Sequence, residues 1–203
     1  MEACAGAHHL GRKLEKLGHQ IRLLPAQYVK PYLKDHKNDF RDAEAIRRPT
    51  MRFVPVKSAE QLDLQALHRV RSRLVTQRTA VINQIRGFLR ERRLPVRQRA
   101  ATLRLALPQI LSMPSDSLSP QVVRLIQNFA EDWRYLDRRV AVATKEINEL
   151  AERDSHCHRL MSAPGVGPII SSAMVAAIGT GDAFQKGRLR GLAWSRTETN
   201  LDR

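Results

Sequence analysis

The sequence predicts an α+β fold that is mostly α-helical, with long coiled-coil helices between a partial α/β unit at the start and a small helical domain near the end. Three observations carry this. Val122, Ile126, Phe129, Trp133, Leu136, Val140, Ala143, Ile147 and Leu150 alternate four-and-three spacing, the signature of a coiled-coil seam. Leu67, Val70, Leu74, Val81, Ile85 and Phe88 follow a related three-and-four spacing on an earlier stretch. Near the start, a helical pattern runs directly into an alternating apolar run, the order expected of an α/β unit.

In chain order, Met1 to Gly6 carries neither a flexible leader nor a helix cap. Ala7 to Leu17 reads as helix closed by Gly18 as the residue after its C-cap. His19 to Leu24 alternates, with Ile21, Leu23 and Leu24, and predicts a short strand stopped by Pro25. A lone strand has no sheet to join, so its partners lie upstream of Met1 or it packs poorly. Ala26 to Lys34 is a short helix or loop interrupted by Pro31, and Asn38 to Arg48 is a helix ended by Pro49. From Ser58 a helix of about 35 residues runs to Leu94 and Pro95. Arg97 to Leu111 continues as helix, and Met113 to Pro120 is a linker ending in an N-cap serine and an N1 proline. The seam helix that follows would pack on the Ser58 to Arg93 helix, on its own copy in a second subunit, or on both. Leu160 to Pro168 opens a last helix, Ile169 to Ile178, stopped by Gly179, and beyond Gly187 no period supports helix or strand, so the tail is expected to be disordered.

Charge narrows the partner. Lys and Arg number 35 against 20 Asp and Glu, a net +15, which is the footprint of a protein that meets a polyanion. No run approaches the roughly 18 apolar residues of a spanning helix, and no secretory leader is visible. The expectation is a cytoplasmic protein with no membrane element. Cys4 and Cys157 are too few for a disulfide framework. Cys4-x-x-x-His8 and His156-Cys157-His158 lack the paired spacing of zinc modules, which leaves a buried thiol and surface imidazoles as the plain reading.

Three features carry candidate chemistry. Asp39 and Asp42, directly after Lys37, sit three apart on a predicted helix, with about 5 to 6 Å between Cβ atoms. Two like charges there repel, and Mg²⁺ between them would turn repulsion into affinity, with nucleic-acid phosphate completing its shell. The alternative is a capping box, Asp39 as N-cap and Asp42 at N3. Glu2, at the expected end of a strand, is where a third metal-binding carboxylate would stand. The second feature is arginine: Arg69 with Arg73, and Arg86 with Arg90 and Arg93, form stripes in which Glu91 is the only acid. Such a face binds phosphate or is merely solvated. The third is Gly165-Val166-Gly167 before Pro168, an arrangement that can aim backbone N–H groups at a phosphate and can equally be a tight turn. Phe129 and Trp133 occupy seam positions and read as core rather than base-stacking groups.

Several segments together resemble insertion-sequence transposases with an Asp-Glu-Asp-Asp catalytic domain, relatives of Piv-type DNA invertases. They are Met1 to His9, Gly18-His19, Val29 to Tyr32, Lys37 to Asp39, Asp42-Ala43, Asn83-Gln84-Ile85-Arg86-Gly87, Pro164 to Pro168 and Gly181 to Phe184. The resemblance runs from Met1 to about Gly187. It implies a partial RuvC-like, ribonuclease-H-type catalytic domain over residues 1–56 and a dimerising coiled-coil region over 57–153. It also implies the start of a C-terminal transposase domain with a helix-hairpin-helix-like turn over 154–187, followed by an aberrant tail over 188–203. Glu2, Asp39 and Asp42 align with the family's glutamate and its third and fourth acids, and would hold Mg²⁺. DNA is the implied substrate, a structured RNA from the same element the implied guide, and a homo-oligomer the implied assembly. The first aspartate of the tetrad and the family's serine motif have no match; Ser195, between Trp194 and Arg196, does not fit it. The expectation is therefore a fragment without strand cleavage. Two readings from other classes stand beside it: a non-enzymatic basic helical protein that coats nucleic acid, and a structural coiled-coil dimeriser.

Overall fold

A computed structural model describes residues 1, 3–25, 53–113 and 118–179. Among them are six helices: α1 (Ala7–Lys16), α2 (Ala59–Glu91), α3 (Ala100–Leu111), α4 (Pro120–Arg153), α5 (Ser155–Met161) and α6 (Pro168–Ile178). The chain divides into two compact units, one of Met1–Leu62 with Met174–Arg203 and the other of Asp63–Ala173.

In the first unit, α1 follows Gly6, which is left-handed at φ 84° and gives no side-chain cap. The helix stops where expected. Gly18 sits at φ 87°, and the N–H groups of Gly18 and His19 bond back to the carbonyls of Glu15 and Leu14, both at 3.0 Å. That is the double bond of a Schellman ending, and glycine takes the left-handed position without a Cβ penalty.

The strand expected over His19 to Leu24 is reduced to its last two residues. Leu23 forms a single antiparallel bridge with Val54. Leu24 donates its N–H to Met1 at 2.9 Å and accepts from Ala3 at 2.7 Å. Both leucines are buried. Neighbours on an extended chain point to opposite sides, so this piece is covered on both. Its partners are Met1, Ala3 and Val54, within the chain. α1 lies close above: a Cβ on Gly11 would stand 3.1 and 3.3 Å from the Val56 methyls and 3.5 Å from Ile21.

Lys57 is the junction of this unit. Its N–H donates to His8 Nδ1 at 3.1 Å, its carbonyl accepts from Arg12 at 2.6 Å, and its ammonium donates to the Ala176 carbonyl at 2.9 Å. Ser58 and Gln61 then form a reciprocal capping box. Ser58 N–H donates to Gln61 Oε1 at 3.0 Å and Gln61 N–H to Ser58 Oγ at 3.1 Å, which satisfies two orphan donors at the start of α2.

The second unit is built on α2 and α4, of 33 and 34 residues. They run antiparallel: Arg71 meets Thr144, Arg78 meets Asp137 and Phe88 meets Phe129, so residue numbers fall along one helix as they rise along the other. The α4 seam therefore finds its partner inside the chain. Ile126, Trp133, Leu136, Val140, Ala143 and Ile147 are buried, as the spacing predicts. Val122 and Phe129 are half-buried and Leu150 is exposed, while Ala130 and Ala151 take up the core. On α2, Leu74 and Ile85 are buried as expected, Val70 is exposed, and the core gains Ile82 and Leu89. A straight helix of 3.6 residues per turn drifts about 20° per heptad against a 3.5 repeat, so the buried stripe can slide to a neighbouring residue, and the helix packed opposite decides where it does.

α3 closes the far end, where Leu103, Leu107 and Ile110 join Ile82, Ile85, Leu89, Leu118, Ile126, Ala130 and Trp133 in one apolar cluster. Each large side chain so buried contributes about 1.5–3 kcal/mol. α4 begins as its sequence predicts, with Ser119 accepting from Val122 N–H at 3.4 Å and Pro120 in the first turn. It ends at Asp154, which also caps α5 by accepting from the N–H groups of His156 at 2.7 Å and Cys157 at 3.2 Å. α5 was not legible in the period because it is too short to show one.

Candidate nucleic-acid interface

Glu2, Lys37, Asp39 and Asp42 lie outside the described residues, so the interface is built from the basic candidates. Arg69, Arg73 and Arg90 stand exposed on α2. From Leu64 to Arg90 the sequence holds six arginines and not one carboxylate. Among the described residues the carboxylate ion pairs are Arg78 and Arg104 with Asp137, and Lys145 with Glu149. None involves Arg69, Arg73 or Arg90. Arg78 is on the inner side of α2, where its charge is spent on α4.

The second predicted stripe does not survive. Arg86 is half-buried, its guanidinium donates to the Gln98 carbonyl in the loop after α2, and its Nε is buried without an acceptor. Arg93 is past the helix. The chain turns there, with Arg93 left-handed at φ 57°, Arg93 N–H bonded to Arg90 at 2.9 Å and Leu94 N–H to Leu89 at 2.9 Å. Leu94 then packs on the cluster that holds Leu89. Of the three, Arg86 turns inward, Arg90 stays exposed on the helix, and Arg93 is exposed just past its end.

The Gly165-Gly167 turn is present. Gly165 is left-handed at φ 83°, and the Gly167 carbonyl accepts from Ile170 and Ser171 N–H, each at 3.0 Å, as the N-cap of α6. A Cβ on either glycine would meet nothing within 4 Å. Behind the turn, polar groups are buried and tied. Ser172 Oγ donates to the Pro168 carbonyl at 2.6 Å and lies 3.0 Å from His68 Nε2. Since the hydroxyl proton is committed to Pro168, His68 is the donor in that contact. Burial, then the neighbouring Arg71, holds the His68 imidazole below its usual pKa. Cys157 is buried too, and burial followed by Asp154 pushes its thiol up, against a hydrogen bond from Ser171. This thiol is inert packing, whereas Cys4 is exposed. Among the described residues no three His, Cys, Asp or Glu gather as a metal-ligand group.

Residues 1–93 match a family model described as Transposase, of the DEDD, IS110 kind. The chain is also similar to whole transposases. It is 43% identical over 194 residues to a probable family 20 transposase of Pseudomonas aeruginosa, covering 93% of this chain and 57% of that one. It is 38% identical over 192 residues to the transposase for insertion sequence element IS1111A of Coxiella burnetii, covering 93% and 53%. With the transposase for IS1328 of Yersinia enterocolitica the identity is 35% over 193 residues, covering 93% and 57%. The chain thus spans little more than half the length of these relatives. No solved structure matches it. The transposase match contains α2 entire and ends on Arg93, the left-handed residue that closes that helix.

One feature of α4 was missed at the sequence level. Tyr135 is 51% exposed, with the guanidinium groups of Arg138 and Arg139 at 5.9 and 5.7 Å from its ring centre. Tyrosine followed by arginine at the third and fourth positions is the signal that could have found it. No helix among the described residues is long and apolar enough to cross a membrane.

Proposed function

We propose that this chain binds nucleic acid as part of an insertion-sequence transposase, and that the outer face of α2 makes the contact. The observation that carries the reading is the acid-free run from Leu64 to Arg90, with Arg69, Arg73 and Arg90 exposed on it. Arg69 and Arg90 are roughly 30 Å apart along the axis at 1.5 Å per residue. Such a face releases counterions from several phosphates of a duplex, which carries a charge every ~1.7 Å. The similarity to transposases supports DNA as the substrate, and in this reading a structured RNA is the second nucleic-acid partner. Lys37 and the Gly165-Gly167 turn are further candidate phosphate contacts, each by itself. Homo-oligomerisation through the long helices would use the outer face of α4, because α2 fills the α4 seam and carries the nucleic-acid contact on its own outer face.

In this reading Glu2, Asp39 and Asp42 hold Mg²⁺ in a partial RuvC-like unit. Three carboxylates are hard oxygen donors, the kind the ion takes, and bound there it would polarise a phosphodiester oxygen. Asp39→Asn with Asp42→Asn should abolish the heat of Mg²⁺ titration, whereas an unchanged titration leaves both acids as helix caps.

Binding of a labelled DNA duplex at stepped salt tests the main claim. The affinity should fall linearly on a log–log plot, and Arg69→Gln with Arg73→Gln should flatten the slope by about 1 to 2. A wild-type chain that binds neither DNA nor RNA at low salt would sink the reading.

A further inference from the structure

Gly87 lies four residues inside the C-terminal end of α2, on its exposed side, with an ordinary helical backbone. Among the described residues nothing asks for a glycine there. No φ is positive, and an added Cβ would meet no atom within 4 Å. Glycine is the worst helix former after proline, and alanine would fit the same space. The cost of the bare backbone is therefore not repaid within the described residues. At Gly11 it is, by the Val56 methyls at 3.1 and 3.3 Å.

The surroundings say what would use the gap. One turn before Gly87 are Asn83 and Gln84, and one turn after are Arg90 and Glu91, all exposed. Asn, Gln and Arg side chains have the donors that suit phosphate oxygens and base edges. Glu91 is the one carboxylate in the stretch from Asn83 to Glu91. A second copy of the chain is a poor occupant, because an apposed α2 face would bring Arg69, Arg73 and Arg90 against arginines. We infer that Gly87 is a close-contact point, where a phosphodiester backbone comes down onto the bare α2 backbone between Asn83, Gln84 and Arg90. This rests on the nucleic-acid reading above and specifies how near the ligand must come. The chemistry is common to DNA and RNA.

The test is Gly87→Ala in the full chain, read by thermal unfolding and by binding of two probes, a labelled mixed-sequence DNA duplex and a labelled stem-loop RNA. The midpoint should rise by about 2–4 °C from improved helix propensity, while affinity for one or both probes falls about fivefold or more. The probe that loses more identifies the source of the backbone. Gly87→Gln should weaken binding further. A higher midpoint with affinity unchanged for both probes would overturn the inference and leave the binding reading intact. A lower midpoint would also overturn it, since the glycine would then serve the fold, as would a loss of self-association in place of nucleic-acid binding. Failure of the unsubstituted chain to bind either probe defeats the underlying reading instead.

Discussion

Arg78 on α2 donates to Asp137 on α4 at 3.2 Å, and Arg104 of α3 reaches the other oxygen of the same carboxylate. One acid thereby ties three helices. The Arg104 guanidinium also lies 4.9 Å from the centre of the Trp133 ring, which is buried beneath it. The pair is partly exposed, with side-chain accessibilities of 32% for Arg78 and 25% for Asp137, so its worth is well below that of a dry ion pair. Asp137→Ala should cost about 1 to 2 kcal/mol, since two guanidinium groups lose their acceptor together. Urea unfolding measures this, and a change within a few tenths of a kcal/mol would mean solvent replaces the carboxylate fully.

Arg93 stands in a backbone conformation that suits glycine. Its φ of 57° forms the left-handed step of the Schellman ending on α2. A residue with a Cβ is penalised there by roughly 1 to 2 kcal/mol. Arg93→Gly should therefore stabilise the chain by about 0.5 to 1 kcal/mol, after the larger chain entropy of glycine in the unfolded state is subtracted. The reverse result, destabilisation, would show that the arginine side chain contributes more than its backbone costs.

The two α2 stripes look alike in sequence and differ in surroundings: Arg86 is tied to the Gln98 carbonyl, whereas Arg69 and Arg73 stand exposed. Arg86→Ala should lower stability by about 1 kcal/mol by removing the donor to the Gln98 carbonyl, and should leave the salt slope of nucleic-acid binding unchanged. Arg69→Ala should do the opposite. Unfolding and anisotropy on the two variants separate them; equal effects on the slope would place Arg86 on the binding face after all.

What sequence could and could not disclose follows the range of the interactions. The α4 seam, the Ser119 cap and the Gly18 stop are local, so a few neighbouring residues determine them. The slide of the core from Val70 to Ile82 and Leu89, and from Leu150 to Ala151, depends on which partner helix lies opposite, and a heptad count cannot know that. Leu23 meets Val54 and Leu24 meets Ala3 across long stretches of chain, and nothing within His19 to Leu24 advertises those partners. The inward turn of Arg86 depends on where the loop after α2 happens to place Gln98. Ser58-x-x-Gln61 is a case of the other kind, a capping box readable from spacing that the helix count alone passed over.

His8 makes the first unit sensitive to acid. Its Nδ1 accepts the Lys57 N–H at 3.1 Å, so the proton of the neutral ring is on Nε2. Burial first, then the charges of Lys57 and Arg12, holds its pKa below the ordinary value. The folded state thus prefers the neutral ring more than the unfolded state does. Its contribution is complete above the unfolded pKa, near 6.5, and is lost as pH falls through the lower folded pKa. His68 shifts in the same direction. Stability should accordingly be flat above neutrality and decline below about pH 6.5, with His8→Phe reducing the slope. An NMR titration that placed His8 above the ordinary value would contradict this.

Gly179 and Gln61 provide the sharpest test of the first unit. Gly179 ends α6 at φ 71°, its N–H bonded to Val175 at 2.8 Å, and a Cβ there would come 2.7 Å from Gln61 Nε2. Gln61 is not free to swing away. Its Oε1 is held by Ser58 N–H at 3.0 Å, and its Nε2 donates to the Val175 carbonyl at 3.4 Å. Gly179→Ala should therefore cost about 1 to 2 kcal/mol from the left-handed backbone, with a further penalty from displacing Gln61. Gln61→Ala alone loses the capping box, about 1 kcal/mol. If both penalties share the Gln61 side chain, the double variant should be less destabilised than the two single changes added together, by about 0.5 kcal/mol or more. Strict additivity in that cycle would mean that the two residues do not touch in solution.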